Sequence, residues 1–387
     1  MLVCPVASAA FASGEVIHDL VTGRLFYLNR TAAEVWRGLR EVSAEEAIAH
    51  NLAARYVMDL PAARRDVLAL IESLKQAGIL HQPVRTALRR ELIEAHPPGT
   101  EPAWSAVCQL GDVPVHVVCH PASVGDSLAL LAAPAISDDT AHTSLVLFHH
   151  GDRLVLLRDG VLVRWTASAA SARWQLLRQL VTAGYRRRWL ALLHAAAVAT
   201  PAGCLLLAGG SGAGKSTLLA GLLHAGLGFM ADDILPLETG TQLLWRVPLA
   251  ISIKHGSWSV VESLFPELAR APTVQFAGRR IRYLWPTAAT LAAACPAGAL
   301  LFPCYVSGAP TALTPVDALQ ALCLLGAEGS ELPATDAGLA EFLDWLTRLP
   351  AYRLTYGHLD EAVAVALTII TELAGPRHQG CAEGVLV

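Results

Sequence analysis

A glycine-rich segment that ends in lysine and serine is the clearest chemical signal in this sequence. It fits the pattern G-x-x-x-x-G-K-[ST], the phosphate-binding or Walker A loop. Glycines let backbone N–H groups converge on phosphate oxygens at a helix N-terminus, which already favours anions. The lysine of such a loop neutralises the β- and γ-phosphates, and the serine hydroxyl ligates Mg²⁺. The pattern predicts a site for ATP and Mg²⁺ formed by Gly209, Gly210, Ser211, Gly212, Ala213, Gly214, Lys215, Ser216 and Thr217.

Two adjacent acids, Asp232 and Asp233, form the second signal. They follow the strand-like run Phe229-Met-Ala231, only one predicted helix beyond the loop, a spacing that is unusual among proteins with this loop. One carboxylate at a strand end can hold Mg²⁺ while the other takes the proton from an attacking hydroxyl. The alternative without chemistry is a helix cap or a solvated turn.

Five single residues are weaker candidates. His194, taken alone, is more often a satisfied core histidine than a site residue. Lys254 is a candidate for contact with phosphate or substrate, and an exposed lysine after a strand is the alternative. A basic cluster, Arg279, Arg280 and Arg282, suits an acidic peptide or a phosphate, and a solvated charged loop is its alternative.

The elements that must position these residues can be read from the pattern. A buried-strand run at residues 204–208 leads into the loop, and an apolar helix at 218–223 follows it. Near the N-terminus a β-hairpin is predicted around Thr22-Gly23, followed by a helix with a capping box at Thr31 and Glu34. Two further short helices follow the first, and a charged helical stretch is predicted at residues 85–94.

Turn and linker signals divide the chain into four parts. Residues 1–90 hold the hairpin and the three helices. Residues 91–188 form a linker and a small α+β region in which no chemistry is apparent. Residues 189–375 contain the loop and the two acids, and residues 376–387 form a loosely ordered tail.

Composition excludes several classes of protein. Of the 387 residues, 53% are hydrophobic and 16% charged, which excludes a disordered chain. A net charge of −4 gives no overall basic field for nucleic acid or an anionic membrane. Mean hydropathy is +0.43, but prolines interrupt the longest apolar runs, so no membrane span is predicted. Eight scattered cysteines without a C-x-x-C pair are expected to be small buried side chains in a reducing cytoplasm.

The central part of the chain resembles the catalytic domain of the HPr kinase/phosphorylase family. The residues that carry the resemblance are Leu193-His194-Ala-Ala-Ala-Val, the glycine-rich loop, and Ala231-Asp232-Asp233. Later segments, such as Ile253-Lys254-His-Gly-Ser-Trp258, are similar to the HPr-kinase-related branch. The likeness spans roughly residues 105–370.

This resemblance implies a serine kinase with an α/β P-loop fold, unrelated to eukaryotic protein kinases. It implies that Asp232 is the general base, that Asp233 and Ser216 lie near Mg²⁺, and that His194 and Lys215 belong to the active site. Thr217 stands where HPr kinases have glutamate, and the family's later glycine-rich segment is missing, which argues against HPr as acceptor and against the reverse reaction. HPr kinases form hexamers, so the resemblance implies a homo-oligomer. No feature of this sequence itself indicates that assembly.

Residues 14–80 resemble the PqqD family, also known as RiPP recognition elements. The matching segments include Thr22-Gly23-Arg24, Tyr27-Leu28-Asn29 and Val35-Trp36. The resemblance implies a winged helix that binds the leader of a ribosomally made precursor peptide as an added strand. The alternative is a winged helix that binds DNA, but the third predicted helix has few basic residues beyond Arg64, Arg65 and Lys75.

The sequence as a whole thus predicts an HPr-kinase-like α/β P-loop kinase domain, an N-terminal winged-helix PqqD-like module and an intervening small α+β region. A leader-binding module tethered to a kinase raises the effective concentration of the substrate at the active site. HPr-kinase-like enzymes occur in lasso-peptide clusters, so the resemblance implies phosphorylation of a precursor peptide. The alternatives are a kinase of a free small molecule such as serine, and a nucleotide-dependent binding or scaffold protein.

Overall fold

A computed structural model describes residues 5–41, 44–80, 97–286 and 293–373 of the protein. These residues fall into two compact units. The first unit takes its described residues from the N-terminal part, up to residue 80, and from 331–348, and the second contains the rest. The helical stretch predicted at 85–94 and the tail predicted at 376–387 lie outside the described residues. Within the described ranges, no helix is both long and apolar enough to cross a membrane.

Helices and strands are numbered in chain order. The strands are β1 (Val6–Phe11), β2 (Gly14–Asp19), β3 (Leu25–Leu28), β4 (Trp104–Gln109), β5 (Pro114–Cys119), β6 (Ile136–Ser137), β7 (Thr143–His150), β8 (Arg153–Arg158), β9 (Val161–Thr166), β10 (Trp189–Leu193), β11 (Ala195–Thr200), β12 (Gly203–Ala208), β13 (Gly228–Ala231), β14 (Leu235–Glu238), β15 (Leu243–Trp245), β16 (Ile251–Lys254), β17 (Val274–Phe276), β18 (Arg279–Leu284), β19 (Ala294–Tyr305), β20 (Ala312–Pro315) and β21 (Ala351–Tyr356). The helices are α1 (Arg30–Arg40), α2 (Glu45–Tyr56), α3 (Leu60–Gln76), α4 (Ala122–Leu131), α5 (Ala169–Gly184), α6 (Lys215–His224), α7 (Trp258–Leu264), α8 (Ala318–Ala327), α9 (Asp336–Arg348) and α10 (Leu359–Leu373). The protein is therefore of mixed α/β class.

The first unit is built on an antiparallel sheet in the order β1-β2-β3. The predicted hairpin, β2 and β3, and the three predicted helices are all present. Trp36 is buried in the core that the helices form with the sheet. Asn29 caps α1, because its Oδ1 accepts a hydrogen bond from the N–H of Ala32 at 3.0 Å. The capping box expected at Thr31 is therefore wrong, since the helix begins one residue earlier, at Arg30.

Helix α9 belongs to the first unit although it lies far along the chain. Its Asp336 accepts a hydrogen bond from the N–H of Ser8 in β1 at 2.8 Å and pairs with Arg40 at 2.9 Å. The carbonyl of Pro333, just before α9, lies 3.0 Å from Nδ1 of His18. The sequence-based division gave this helix to the part at 189–375. Contacts between residues more than 300 positions apart leave no local signal in a sequence.

The second unit contains a nine-stranded mixed sheet that holds the glycine-rich loop. Seven strands follow the order β10-β14-β15-β19-β12-β11-β13, with β21 beside the second half of β19 and β20 beside β21. Strand β19 is parallel to β12 and to β21, and the other strand pairs described in this sheet are antiparallel. Side chains of alternate residues in these strands pack against α6 and α10 in one buried core.

The region at 91–188 supplies a six-stranded sheet in the order β6-β4-β5-β7-β8-β9. Helix α5 packs against this sheet, and the apolar pattern at residues 172–183 predicts a helix there. Strand β4 and helix α4 were not anticipated. A separate three-stranded sheet, β16-β18-β17, carries Lys254 and the arginines at 279–282, so the alternative of a solvated charged loop is wrong for these arginines.

Cys204 in β12 and Cys295 in β19 form a disulfide, with their Cα atoms 6.3 Å apart. The expectation that the cysteines are unpaired is therefore wrong for these two. The two cysteines are 91 positions apart in the sequence, and the fold brings them together because β12 and β19 are neighbours in the sheet. Cys108 and Cys119 are free and buried, and burial raises the pKa of each thiol to about 12.

Candidate functional site

A cavity of about 670 Å³ lies in the second unit beside the loop that joins β12 to α6. The glycine-rich loop, Asp233 and His194 form part of its wall. Lys254 and Arg279 line it from the small sheet, and Arg173 and Trp174 line it from α5. The cavity thus gathers most of the residues that the sequence singled out as chemical candidates, although not Asp232, Arg280 or Arg282, and adds Arg173 and Trp174.

The glycine-rich loop turns through conformations that only glycine adopts readily. Gly209, Gly212 and Gly214 have φ angles of +147°, +98° and +98°. A Cβ atom on Gly214 would also lie 2.1 Å from the hydroxyl of Tyr356, whereas one on Gly212 would meet nothing within 4 Å. The loop therefore packs closely against β21 at Gly214 and is open at Gly212.

Lys215 is almost completely buried at the start of α6. Its Nζ donates to the carbonyl oxygen of Gly209 and to that of Gly210, the latter at 3.3 Å. The ammonium group is therefore held over the first half of its own loop. Carbonyl oxygens solvate a cation without neutralising it, so this arrangement is well suited to an anion.

Asp232 is buried directly behind the loop. Its two carboxylate oxygens accept from the hydroxyl of Ser216 at 3.0 and 3.2 Å, and Oδ2 accepts from the N–H of Ser252 at 3.0 Å. Burial and the charge of Asp233 raise the pKa of Asp232 to about 7, against the lowering effects of Ser252, Lys215 and Ser216. Mg²⁺ prefers oxygen ligands, and this site offers a serine hydroxyl beside a carboxylate that forms no ion pair among the described residues.

Asp233 has a left-handed backbone conformation, with φ +69°, and faces the cavity. Its Oδ1 lies 3.8 Å from Nε2 of His194. Burial raises the pKa of Asp233, but the interaction with His194 and the charges of Arg173 and Lys215 outweigh it, so the pKa lies well below its usual range. The side chains of the two adjacent acids therefore have different partners, and their pKa values shift in opposite directions.

His194 is oriented by contacts on both of its sides. Its Nδ1 lies 2.6 Å from the carbonyl oxygen of Glu328, and because a carbonyl only accepts, this nitrogen carries a proton. The backbone N–H of His194 donates to the hydroxyl of Ser330 at 3.0 Å, and the ring packs against Trp174 at 5.2 Å between centroids. Nε2 is left to face Asp233.

The remaining candidates divide into those at the site and those away from it. Lys254 and Arg279 both donate to the hydroxyl of Ser211 in the loop. Arg282 pairs instead with Glu262, and its guanidinium lies over Trp258 at 4.0 Å. Arg280 lies over the same ring at 5.0 Å. Only the first of the three arginines therefore reaches the loop.

Two residues at the cavity, Arg173 and Trp174, come from the region in which the sequence showed no chemistry. Arg173 donates to the hydroxyls of Ser127 and Tyr283 at 2.9 and 3.1 Å and lies 4.1 Å over the ring of Phe276. No motif marks it. The one available signal is its place four residues before Leu177, which puts a charged residue on an apolar helix face.

The first unit has an open sheet edge at β3. In the described part of the chain, β3 pairs only with β2. The N–H of Asp19 donates to the carbonyl of Arg24 at 2.9 Å, and because hydrogen bonding alternates along an antiparallel pair, the N–H groups of Leu25 and Tyr27 face the open side. On the opposite edge, Asp336 already occupies the N–H of Ser8.

Comparison with known proteins identifies the first unit. Residues 14–80 match the PqqD family, described as Coenzyme PQQ synthesis protein D (PqqD). This segment is therefore a PqqD-type RiPP recognition element, as the sequence predicted. A solved structure described as TbiB1 in complex with the TbiA(beta) leader peptide is 27% identical, covers 22% of this chain and 100% of that chain, and has a TM-score of 0.21. No curated protein matches this chain. The relation of residues 105–370 to HPr kinases stays a prediction.

Proposed function

We propose that this protein is an ATP-dependent serine kinase that phosphorylates a ribosomally made precursor peptide, whose leader binds to the N-terminal unit. One observation carries the proposal: a single chain joins a PqqD-type recognition element to a Lys-Ser loop that is backed by two acids and opens into a cavity. The recognition element supports a role in precursor-peptide maturation. The loop and the acids support phosphoryl transfer as the reaction.

The contacts of the acids favour a division of roles that differs from the one the family resemblance implied. Asp232, taken there as the base, is buried against Ser216, so Ser216 and Asp232 are the better pair to hold Mg²⁺. When bound there, Mg²⁺ would neutralise charge on the phosphate oxygens. Asp233, taken there as a metal ligand, faces the cavity and His194, and it is ionised at neutral pH because its pKa is lowered. Asp233 is therefore the better candidate for the base.

The proposed reaction transfers the terminal phosphoryl group to a serine hydroxyl. The hydroxyl oxygen forms a bond to the γ-phosphorus, the bond from that phosphorus to the β–γ bridging oxygen breaks, and ADP leaves with that oxygen. Asp233 accepts the hydroxyl proton, and Nε2 of His194 lies 3.8 Å from its Oδ1. Because the transition state of such transfers is loose, the base needs little strength, and a carboxylate of low pKa is sufficient.

The open edge of β3 is the proposed leader site. An extended peptide added there would receive the outward N–H groups of Leu25 and Tyr27 as hydrogen-bond donors. Tyr27 and Leu68 on α3 are large side chains exposed in the same unit, by 38% and 55%. Binding of the leader raises the local concentration of the attached core segment. A kinase with little preference of its own would thereby act on one dedicated peptide.

A label-transfer assay tests the proposal. The purified protein is incubated with Mg²⁺ and ATP labelled in the γ-phosphate, and the peptide and small-molecule fractions of the host are offered in separate reactions. The control is Lys215→Met, which removes the ammonium group from the loop. We expect label in a short peptide, and at least about a hundredfold less with the control, because hydrogen bonds from a charged group to phosphate contribute strongly to binding and transfer.

Two outcomes would contradict the proposal. Label confined to the small-molecule fraction would mean that the protein is a kinase of a free metabolite. ATP binding with no label in either fraction would favour a nucleotide-dependent scaffold. Both alternatives predict that the control variant changes nothing in the peptide fraction.

A further inference from the structure

We infer that Lys254 and Arg279 form a binding site for the terminal phosphate of the nucleotide and so make this protein distinguish ATP from ADP. The inference rests on the proposed function, because it assumes that a nucleotide binds the glycine-rich loop. It adds two residues from a separate sheet to that site. Neither residue belongs to the loop motif or to the pair of acids.

Both side chains converge on one atom of the loop. Lys254 ends β16 and Arg279 begins β18, and these strands are antiparallel neighbours with Lys254 paired to Ile281. Nζ of Lys254 lies 2.8 Å from Oγ of Ser211, and Nη1 of Arg279 donates to the same oxygen. The small sheet therefore presents two cations side by side to the third residue of the loop.

The charges of these two cations are only partly offset by the protein, through the more distant carboxylates of Asp233 and Asp232. Within the described ranges, neither Lys254 nor Arg279 forms an ion pair, and a serine hydroxyl cannot balance two positive charges. Burial lowers the pKa of Lys254, and the neighbouring cations Arg279 and Lys215 add to that effect, while Asp233 and Asp232 oppose it. Cations crowded in a cavity without a carboxylate of their own are favourable for an anion.

The position of Lys215 shows which phosphate these cations would meet. The lysine of such a loop reaches the β- and γ-phosphates, while the loop amides cradle the α- and β-phosphates. Here Nζ of Lys215 lies on the carbonyls of Gly209 and Gly210, immediately before Ser211. The start of the loop therefore faces the γ end of the nucleotide. Charges gathered at Ser211 act on the phosphate that ADP lacks.

The experiment compares the affinities of two nucleotides for the full chain with Mg²⁺ present. The ligands are ADP and an ATP analogue whose β–γ bridge cannot be cleaved, measured by isothermal titration calorimetry. The variants are Lys254→Met and Arg279→Met. Arg280→Met is the matched control, because it removes one positive charge from the same strand at a side chain that lies over Trp258 and is away from the loop.

We expect each of the two variants to lower the affinity for the ATP analogue about tenfold or more, because a hydrogen bond to a charged group is lost. The affinity for ADP should change less than about twofold, and the control should change neither affinity beyond that range. Thermal melting of each variant checks that the fold is kept.

Three results would overturn the inference. Equal losses for both nucleotides would mean that Lys254 and Arg279 serve the phosphates common to ATP and ADP. Unchanged affinities for both would mean that the two cations bind something else, such as an acidic group of the acceptor. If the unaltered protein bound neither nucleotide, both this inference and the proposed function would fail. The first two results would overturn only the inference.

Discussion

Asp232 is a carboxylic acid that folding removes almost entirely from water, while a second acid follows it in the chain. In the unfolded chain its pKa has the ordinary value of 3.8, and in the folded protein burial and Asp233 raise it to about 7. The folded state then binds a proton that the unfolded state has already lost. Between pH 3.8 and about pH 7 the free energy of unfolding therefore falls as the pH rises. Above about pH 7 the folded protein bears the full cost of burying the charged carboxylate.

Asp232→Asn should therefore stabilise the nucleotide-free protein, and more so at alkaline pH. The amide keeps an oxygen to accept from Ser252 and has no charge to bury. We expect the melting temperature to rise by a few degrees at about pH 9, on a scale of about 2–4 °C per kcal/mol, and to change little at about pH 5. Calorimetric melting without Mg²⁺ measures both. A variant that is equally or less stable than the unaltered protein at about pH 9 would show that Asp232 bears no such penalty.

Single residues of the site were predictable from the sequence where a motif fixes their spacing. The loop and the two acids were found because strand, loop and helix follow one another directly in the chain. The orientations of Asp232 and Asp233 were not, since they depend on a left-handed backbone conformation at the second acid. Arg173 was missed because it reaches the cavity through a packing of α5 that no local pattern records.

The glycine-rich loop is the element whose shape most constrains its sequence. Gly212 and Gly214 share a φ of +98°, but only at Gly214 would a Cβ collide, with the hydroxyl of Tyr356. That tyrosine is buried and packs against Tyr305, so it has little room to move. Substitutions at these two glycines therefore distinguish the cost of backbone strain from the cost of a steric clash.

We expect Gly214→Ala to abolish measurable ATP binding, because the loop must shift away from Tyr356 and loses its converging amides. Gly212→Ala should cost only the strain of its conformation, about 1–2 kcal/mol, and keep binding within about tenfold. Equilibrium nucleotide titration measures both variants. Adding Tyr356→Phe to Gly214→Ala removes the colliding hydroxyl and should restore part of the affinity.

Equal binding by the two alanine variants would contradict this steric account of the loop. A failure of Tyr356→Phe to rescue, with the fold intact, would mean that backbone strain at Gly214 alone is decisive.

Helices and hairpins were predictable because their signals repeat over short distances. The hairpin of β2 and β3, the helices α1 to α3 and helix α5 follow from apolar periodicity and turn residues. Strand β1 was missed since its residues, Val-Ala-Ser-Ala-Ala-Phe, give a weak apolar pattern. The order of β12, β19 and β21, and the disulfide of Cys204 with Cys295, depend on pairing between distant segments.

At the scale of the whole molecule, one chain carries two units, for which we propose separate tasks. The recognition element is completed by α9, which comes from a later part of the chain and covers the β1 edge of its sheet through Asp336. The β3 edge stays open for an added strand. Because both units are on one chain, leader capture and phosphoryl transfer are predicted to be coupled through local concentration and not through a change in chemistry.

The most direct test of this central claim is the peptide-concentration dependence of phosphoryl transfer in two variants at one position. Tyr27→Pro removes an outward N–H of β3 while leaving the ladder to β2, and Tyr27→Ala removes only the side chain. The substrate is the peptide that acquires label in the transfer assay. We expect Tyr27→Pro to raise KM for this peptide about tenfold or more while kcat stays within about twofold, and we expect Tyr27→Ala to have a smaller effect on KM. An unchanged KM in Tyr27→Pro, with the fold intact, would contradict leader capture at this edge, and the absence of any transfer by the unaltered protein would contradict the kinase itself.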